Sequence, residues 1–297
     1  MTVRSDFENA SGYMFILPWI IGFVSFTLIP LLCLLYFSFT KYDLLSSPRW
    51  LGLDNYTAIL TNDPKFWQAL QVTFLYVLVA MPARLVVALG IALLLNTKHR
   101  LIGVYRTLFY IPSIIGGSVA VAVMWGLLFS RTGAVNSLFG WLFGWSPDIS
   151  WVADPDTALG SIVLLAIWQF GSPMVIFLAG LKNIPSSYYE AAVVDGANGW
   201  QRFVRVTIPL LSPVIFFNLV MQTIGGFMTF TQGLIITGGG PLDQTLFYQL
   251  YVYRRGFEFF EMGYASALSC ILLVIVAILT GIVFKTSNAW VHYESKG

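Results

Sequence analysis

Six apolar runs, each long enough to cross the hydrocarbon core of a bilayer as a helix, leave this chain very few folds. They lie near Tyr13 to Phe39, Trp67 to Asn96, Tyr105 to Phe129, Thr157 to Leu181, Pro209 to Ile236 and Met262 to Phe284. A core about 30 Å thick needs about 20 mainly apolar residues of helix. Backbone groups in hydrocarbon must be satisfied within their own segment, and runs this long lack the alternation of barrel strands. The expected fold is therefore all-α, an integral membrane protein with six transmembrane helices. Composition agrees: 57% of residues are hydrophobic and 10% charged, against roughly 45–50% and about 25% in soluble domains.

The first run far exceeds a signal-peptide core, and Asp6 and Glu8 spoil a basic leader, so it is read as a helix that stays. The loop around Lys98 to Arg106 holds three basic residues and no acid. By the positive-inside rule this loop, both termini and the loop around Glu190 are cytoplasmic. The outer loops, near Lys41 to Phe66, Ser130 to Asp156 and Gly238 to Glu261, are long enough to form small caps that dock an external partner. Their aromatic residues, Trp50, Tyr56, Trp67, Trp141, Trp145, Trp151, Tyr248, Tyr251 and Tyr253, read mostly as an interface belt. Gly238-Gly239-Gly240-Pro241 is expected to end the fifth helix and turn the chain.

Several chemistries are excluded or disfavoured. No Gly-x-x-x-x-Gly-Lys-Ser/Thr loop occurs, so the chain does not bind ATP in that way. The only histidines are His99 and His292, and neither Gly-x-Ser-x-Gly nor His-Glu-x-x-His is present, which argues against intramembrane hydrolysis. All 14 acids fall outside the six runs, disfavouring a carboxylate proton relay. Cys33 and Cys270 read as small packed hydrophobes, with no disulfide framework or metal spacing. No catalytic or metal-binding residue is expected.

Arg84 is the exception, a cation about 12 residues inside the second run and roughly 18 Å from its end at 1.5 Å per residue. Either a shorter or tilted helix lets it reach the headgroups, or it meets carbonyls, water, a second membrane subunit or, least expected, the substrate. Two small-xxx-small pairs, Gly116 with Ala120 and Gly263 with Ala267, allow close helix approach, either within the chain or to another subunit.

The polar stretch from Glu190 to Pro213 interrupts the membrane pattern. Glu190, Ala191 and Ala192 favour helix, Gly196 supplies a turn, and Trp200 to Val206 resume helix before Pro209 and Pro213. A short helix, a turn and a second short helix outside the bilayer are expected. Glu-Ala-Ala, two residues, Asp-Gly-Ala, then Phe203 and Pro209 at their offsets resemble the EAA loop of permease subunits in bacterial ABC importers. Leu51-Gly52-Leu53-Asp54-Asn55-Tyr56, Ile184-Pro185 and Thr237-Gly238-Gly239-Gly240-Pro241 are similar to the carbohydrate-importer branch, which includes maltose and glycerol-phosphate permeases.

The resemblance implies a single permease domain over residues 1–297, with a cytoplasmic coupling loop at 182–208. In it Glu190 and Asp195 orient or cap the coupling helices, Ala191, Ala192 and Ala197 allow close approach, Gly196 permits the turn, and Phe203 completes the set. It implies a bacterial cytoplasmic membrane location. The partners would be a second homologous permease, two ABC ATPase subunits holding ATP and Mg, an extracytoplasmic sugar-binding protein and membrane lipid, with no nucleic acid and no cofactor on this chain.

For the substrate, aromatic faces beside amide and hydroxyl groups at broken or crowded helices point to two places. One is Trp168-Gln169-Phe170-Gly171-Ser172-Pro173. The other is the fifth-run face of Gln222, Gly225, Gly226 and Thr229, with Phe230. Tight helix packing at the two glycines is the plainer alternative. In the maltose relative bulkier residues correspond to these glycines, so the resemblance implies a roomier path suited to an oligosaccharide. An ion-gradient-driven secondary transporter or channel is the alternative function.

Overall fold

In the computed structural model the described residues are 15–97 and 99–292. Tyr13, Lys98 and the charges of the two ends (Arg4, Asp6, Glu8, Glu294 and Lys296) lie outside them. The helices in chain order are α1 (Phe15–Ser38), α2 (Asp54–Asn62), α3 (Pro64–Leu95), α4 (Ile102–Ile115), α5 (Val119–Leu128), α6 (Ala134–Phe143), α7 (Ala158–Trp168), α8 (Gly171–Asn183), α9 (Ser186–Val194), α10 (Gly199–Phe227), α11 (Tyr248–Tyr253) and α12 (Met262–Ser287). A two-stranded hairpin, β1 (Thr40–Lys41) and β2 (Arg49–Trp50), is the one departure from an all-helical fold among the described residues.

Helices α1, α3, α10 and α12 are each long and apolar enough to cross a bilayer, and the bent pairs α4/α5 and α7/α8 raise the count to 6. The third and fourth runs are thus broken spans, bent by 96° and 40°. The fifth ends at Phe227 rather than Ile236, and a separate π-helical turn, Gly233–Thr237, follows it. That turn, not the fifth helix, is what Gly238 and Gly239 terminate, with φ of 57° and 81°. Within α1 and α10, π-helical turns at Val24–Leu28 and Phe203–Thr207 lie just before Pro30 and Pro209. A proline lacks the donor that would continue the ladder, and a widened turn absorbs the gap.

The chain forms two compact units. Of the described residues the first comprises 15–63 and 252–275. Its centre is the end of α1, where buried Asn55 donates through Nδ2 to the carbonyls of Ser38 at 2.9 Å and Thr40 at 3.0 Å. Tyr56 donates to the Ser38 hydroxyl at 2.7 Å. Asn55 of the Leu51 to Tyr56 motif therefore serves the carbonyl left without a helical partner at the end of α1, and Tyr56 engages the hydroxyl of the same serine. Buried Asp63 accepts from Tyr264 at 2.5 Å and from Arg255 at 3.4 Å, and Arg255 also meets Glu261 at 2.8 Å. The amide of Gly263 donates to Tyr42 at 3.0 Å. A Cβ on Gly263 would run into the Thr40 carbonyl, so the Gly263–Ala267 pair serves contact within the chain, not assembly with a second subunit.

Of the described residues the second unit comprises 64–97, 99–251 and 276–292, and α3 runs through it. Leu85, Ala88, Ala92 and Leu95 recur every three or four residues and pack on Met174, Phe177, Leu178 and Leu181 of α8 and Leu211 of α10. In a bilayer apolar area gains little from leaving lipid, so the alanines matter because they let helices close to van der Waals contact. The N–H of Tyr248 donates to the buried Thr73 hydroxyl at 2.8 Å, fixing α11 to α3. Tyr248 and Tyr251 are buried at 0% and 2% exposure, so they are core residues, not members of an interface belt. Trp151 also leaves the belt: its indole N–H donates to Asn136 at 2.6 Å and folds the loop around α6 inward. Trp141 and Trp145, 80% and 65% exposed within this chain, keep the belt reading.

Candidate functional site

Three helix breaks meet at one cavity in the second unit. It has a volume of about 320 Å³, and Gly117 (the α4/α5 break), Gln169 (the α7/α8 break) and Met228, Thr229 and Phe230 (beyond α10) contribute to its wall. Backbone that leaves the helix at membrane depth is tolerated where it is buried in protein or lines a wet cavity, because its polar groups need partners. Gln169 supplies several. Its side-chain Nε2 donates to the Gly116 carbonyl at 2.8 Å, and its own carbonyl accepts from Ser113 Oγ at 2.7 Å and from Arg84 Nε at 2.9 Å and Nη2. Ser113 Oγ accepts in turn from the Ser172 amide at 2.9 Å.

Glycine makes this junction possible. A Cβ on Gly171 would stand 2.8 Å from the Phe109 carbonyl, and one on Gly116 would stand 2.5 Å from the Gln169 side chain. Helix α8 can start there because Pro173 sits in its first turn, where a missing N–H costs no ladder bond. Arg84 thus takes the carbonyl alternative of the sequence reading: it reaches across from α3 to an exposed peptide of a broken span.

Both proposed substrate segments reach this cavity. Gln169, Gln222, Gly225, Gly226, Thr229 and Phe230 line it, with Arg84 and Tyr76. Trp168 is not among the lining residues; its ring lies 5.9 Å from that of Trp125, tilted against it. The two glycines differ. A Cβ on Gly225 meets nothing within 4 Å, whereas one on Gly226 would press Val77 at 2.9 Å and Met81 at 3.3 Å. Gly225 therefore leaves space and Gly226 is packed, so the open-face and tight-packing readings each hold for one residue.

One turn before Gln222, Asn218 is fully buried, and among the described residues neither of its amide atoms has a hydrogen-bond partner. Sequence reasoning passed it over. Its four-residue spacing from Gln222 is the signal that extends the polar face.

The Glu190 loop forms a second candidate site. Helix α9 ends in a Schellman motif: Gly196, at φ 78°, donates to Val193 at 3.0 Å, and Ala197 donates to Ala192 at 2.9 Å. Asn198 then caps α10 by a reciprocal box with Gln201, at 2.8 and 2.9 Å. Asn198 was not anticipated, although Asn-x-x-Gln is the pattern of such a box. The capping role expected of Glu190 and Asp195 side chains is therefore taken by Asn198 and by backbone. Both carboxylates are exposed, and among the described residues no hydrogen bond or ion pair engages their side chains. The second short helix is also not separate, since α10 continues unbroken from Gly199 into the fifth span. Phe203 lies in its π-helical turn, its ring 5.6 Å from that of Trp200, while Val194 and Trp200 are 87% and 72% exposed. Tyr189 and Thr207 share a hydrogen bond at 3.1 Å that ties α9 to α10.

A multi-span helical protein with broken helices around a polar cavity, and a rigid cap on one long helix, defines a membrane transporter. The chain belongs to the family of binding-protein-dependent transport system inner membrane components, which matches residues 8–291. It is a multi-pass permease subunit of an ABC importer in the bacterial inner membrane, in the carbohydrate-uptake branch of that family; ATPase activity resides in partner subunits. It is 57% identical over 297 residues to the probable ABC transporter permease protein YesP of Bacillus subtilis (strain 168), covering 99% of this chain and 95% of the relative. It is 32% identical over 292 residues to the arabinooligosaccharides transport system permease protein AraP of the same organism, covering 95% and 90%. The same fold occurs in the crystal structure of a bacterial ABC transporter involved in the import of the acidic polysaccharide alginate, with TM-score 0.81, 22% identity and 97% and 99% coverage. Family membership removes the ion-gradient alternative and brings no cofactor to this chain. Among the described residues no group of three or more His, Cys, Asp or Glu is placed to hold a metal.

Proposed function

We propose that this chain forms half of the path by which an ATP-driven importer carries an oligosaccharide into the cytoplasm, beside a second homologous permease. Two ATPase subunits and an extracytoplasmic sugar-binding protein complete the assembly. The observation that carries the reading is the convergence of amide, hydroxyl and aromatic groups on one cavity where two spans are broken and a third ends. Sugars are held by that combination, and substrate sites of transporters sit at broken helices. The name of the relative AraP supports an oligosaccharide. So does Gly225, whose open side keeps the wall back.

In this reading Gln169, Gln222, Gly225, Gly226, Thr229 and Phe230 border the substrate path, and Trp168 supports it from behind through Trp125. Residues 182–208 form the cytoplasmic coupling loop of a permease domain that extends over 1–297. Glu190, Ala191, Ala192, Asp195, Gly196, Ala197 and Phe203 form its contact with an ATPase subunit. Because α10 runs without interruption from the Asn198 cap to the cavity wall at Gln222, a push on the loop is carried along one helix to the substrate.

The test is uptake of labelled oligosaccharides by the transporter reconstituted in vesicles. Gln222→Ala and Gly225→Phe should each impair uptake while binding-protein-stimulated ATP hydrolysis partly persists. Unchanged uptake in both would remove the sugar from this face.

A further inference from the structure

Among the described residues the cavity bears one positive charge and no carboxylate beside it. Arg84 is the only Lys, Arg, Asp or Glu among its lining residues; the others are amide, hydroxyl, thioether, aromatic or apolar. Among the described residues no carboxylate lies on α3, α7, α8 or α10, and no ion pair reaches Arg84. Its two hydrogen bonds go to a carbonyl, a dipole that orients the guanidinium without neutralising it. Nη1 makes no hydrogen bond to any described residue.

The structural task does not call for a cation. The Gln169 carbonyl already has a hydroxyl donor in Ser113, and its second lone pair would be served by a neutral amide of similar length. A net charge at membrane depth is costly, and such residues mark substrate or ion paths. A neutral sugar would leave that cost in place. An anionic group would remove it, because a guanidinium with a free edge matches carboxylate or phosphate oxygens.

We infer that the substrate of this cavity is an acidic carbohydrate, whose carboxylate or phosphate group sits against Arg84 while its hydroxyls meet Gln169, Gln222 and Thr229. The inference rests on the carbohydrate path proposed above and specifies its substrate class. Arg84 then selects among sugars of equal size by charge, and the amides fix their orientation.

The experiment is direct binding to the assembled transporter in lipid nanodiscs, without the binding protein, at low ionic strength. The probes are trigalacturonate, its neutral counterpart galactotriose, and galactose 6-phosphate. The wild type should bind an acidic probe about tenfold more tightly than galactotriose, as expected for one charge-assisted hydrogen bond. Preference for trigalacturonate identifies a uronate, and preference for the phosphate identifies a sugar ester. Added salt should shrink the difference, Arg84→Lys should keep part of it, and Arg84→Gln should erase it by weakening the acidic probes about tenfold more than galactotriose. Equal binding of all three probes by the wild type overturns the charge inference and leaves the carbohydrate path standing. Equal weakening of acidic and neutral probes by Arg84→Gln reduces Arg84 to a structural pin and also overturns it. Binding of none of the three overturns the carbohydrate path together with the charge inference.

Discussion

The guanidinium of Arg84 and the backbone carbonyl of Gln169 join the second span to the break in the fourth, with Ser113 of the third span donating to the same oxygen. One peptide oxygen thus ties three spans where two of them bend. Donors that share an acceptor should be coupled. Arg84→Met and Ser113→Ala should each lower the unfolding midpoint in detergent, and the double variant should depart from additivity by about 0.5–3 kcal/mol. Strict additivity would mean that the two donors act on separate structures.

At Gly196 the constraint is conformational, since nothing lies within 4 Å of a Cβ there but φ is 78°. A β-branched residue in that region is strained by about 1–3 kcal/mol. Gly196→Val should leave the chain inserted while uptake and uptake-linked ATP hydrolysis fall together. Gly196→Asn, which tolerates the left-handed region, should restore most of both. Normal uptake by the valine variant at normal expression would detach the loop from coupling.

Asn218 gives a prediction of opposite sign. A buried amide without partners carries a desolvation penalty of about 1–3 kcal/mol, and an apolar group of the same shape avoids it. Asn218→Leu should therefore raise the unfolding midpoint of the detergent-solubilised transporter. A lowered midpoint would show that the assembled complex supplies Asn218 with a partner.

For the glycines of the fifth span, the expected effects separate. Gly225→Ala should be silent in uptake and stability, because its Cβ enters open space. Gly226→Phe should lower stability, because Val77 and Met81 already occupy the position. Thermal unfolding beside uptake distinguishes the two, and equal behaviour of both sites would contradict the packing.

Gly263→Leu is expected to disrupt the chain itself. The added side chain meets the Thr40 carbonyl, a backbone atom that cannot swing away. Loss of the folded permease even when expressed without its partner, read by size-exclusion profile, is the expected result. A stable chain that fails only to assemble would restore the subunit-contact reading.

The apolar runs determined that the chain is a helical membrane protein, because the bilayer's thickness and its lack of hydrogen-bonding partners act on each segment separately. The turn at Gly196 was legible for the same reason: a Schellman end is written in a handful of neighbouring residues. Only the tertiary structure decided where the spans break, which glycine faces space and which faces Met81, and that Arg84 answers the carbonyl of Gln169. It also decided that Tyr248 and Tyr251 are core and that Gly263 closes on Thr40. Each of these depends on what a distant segment places opposite a residue, and composition and spacing along one helix carry no record of its neighbour.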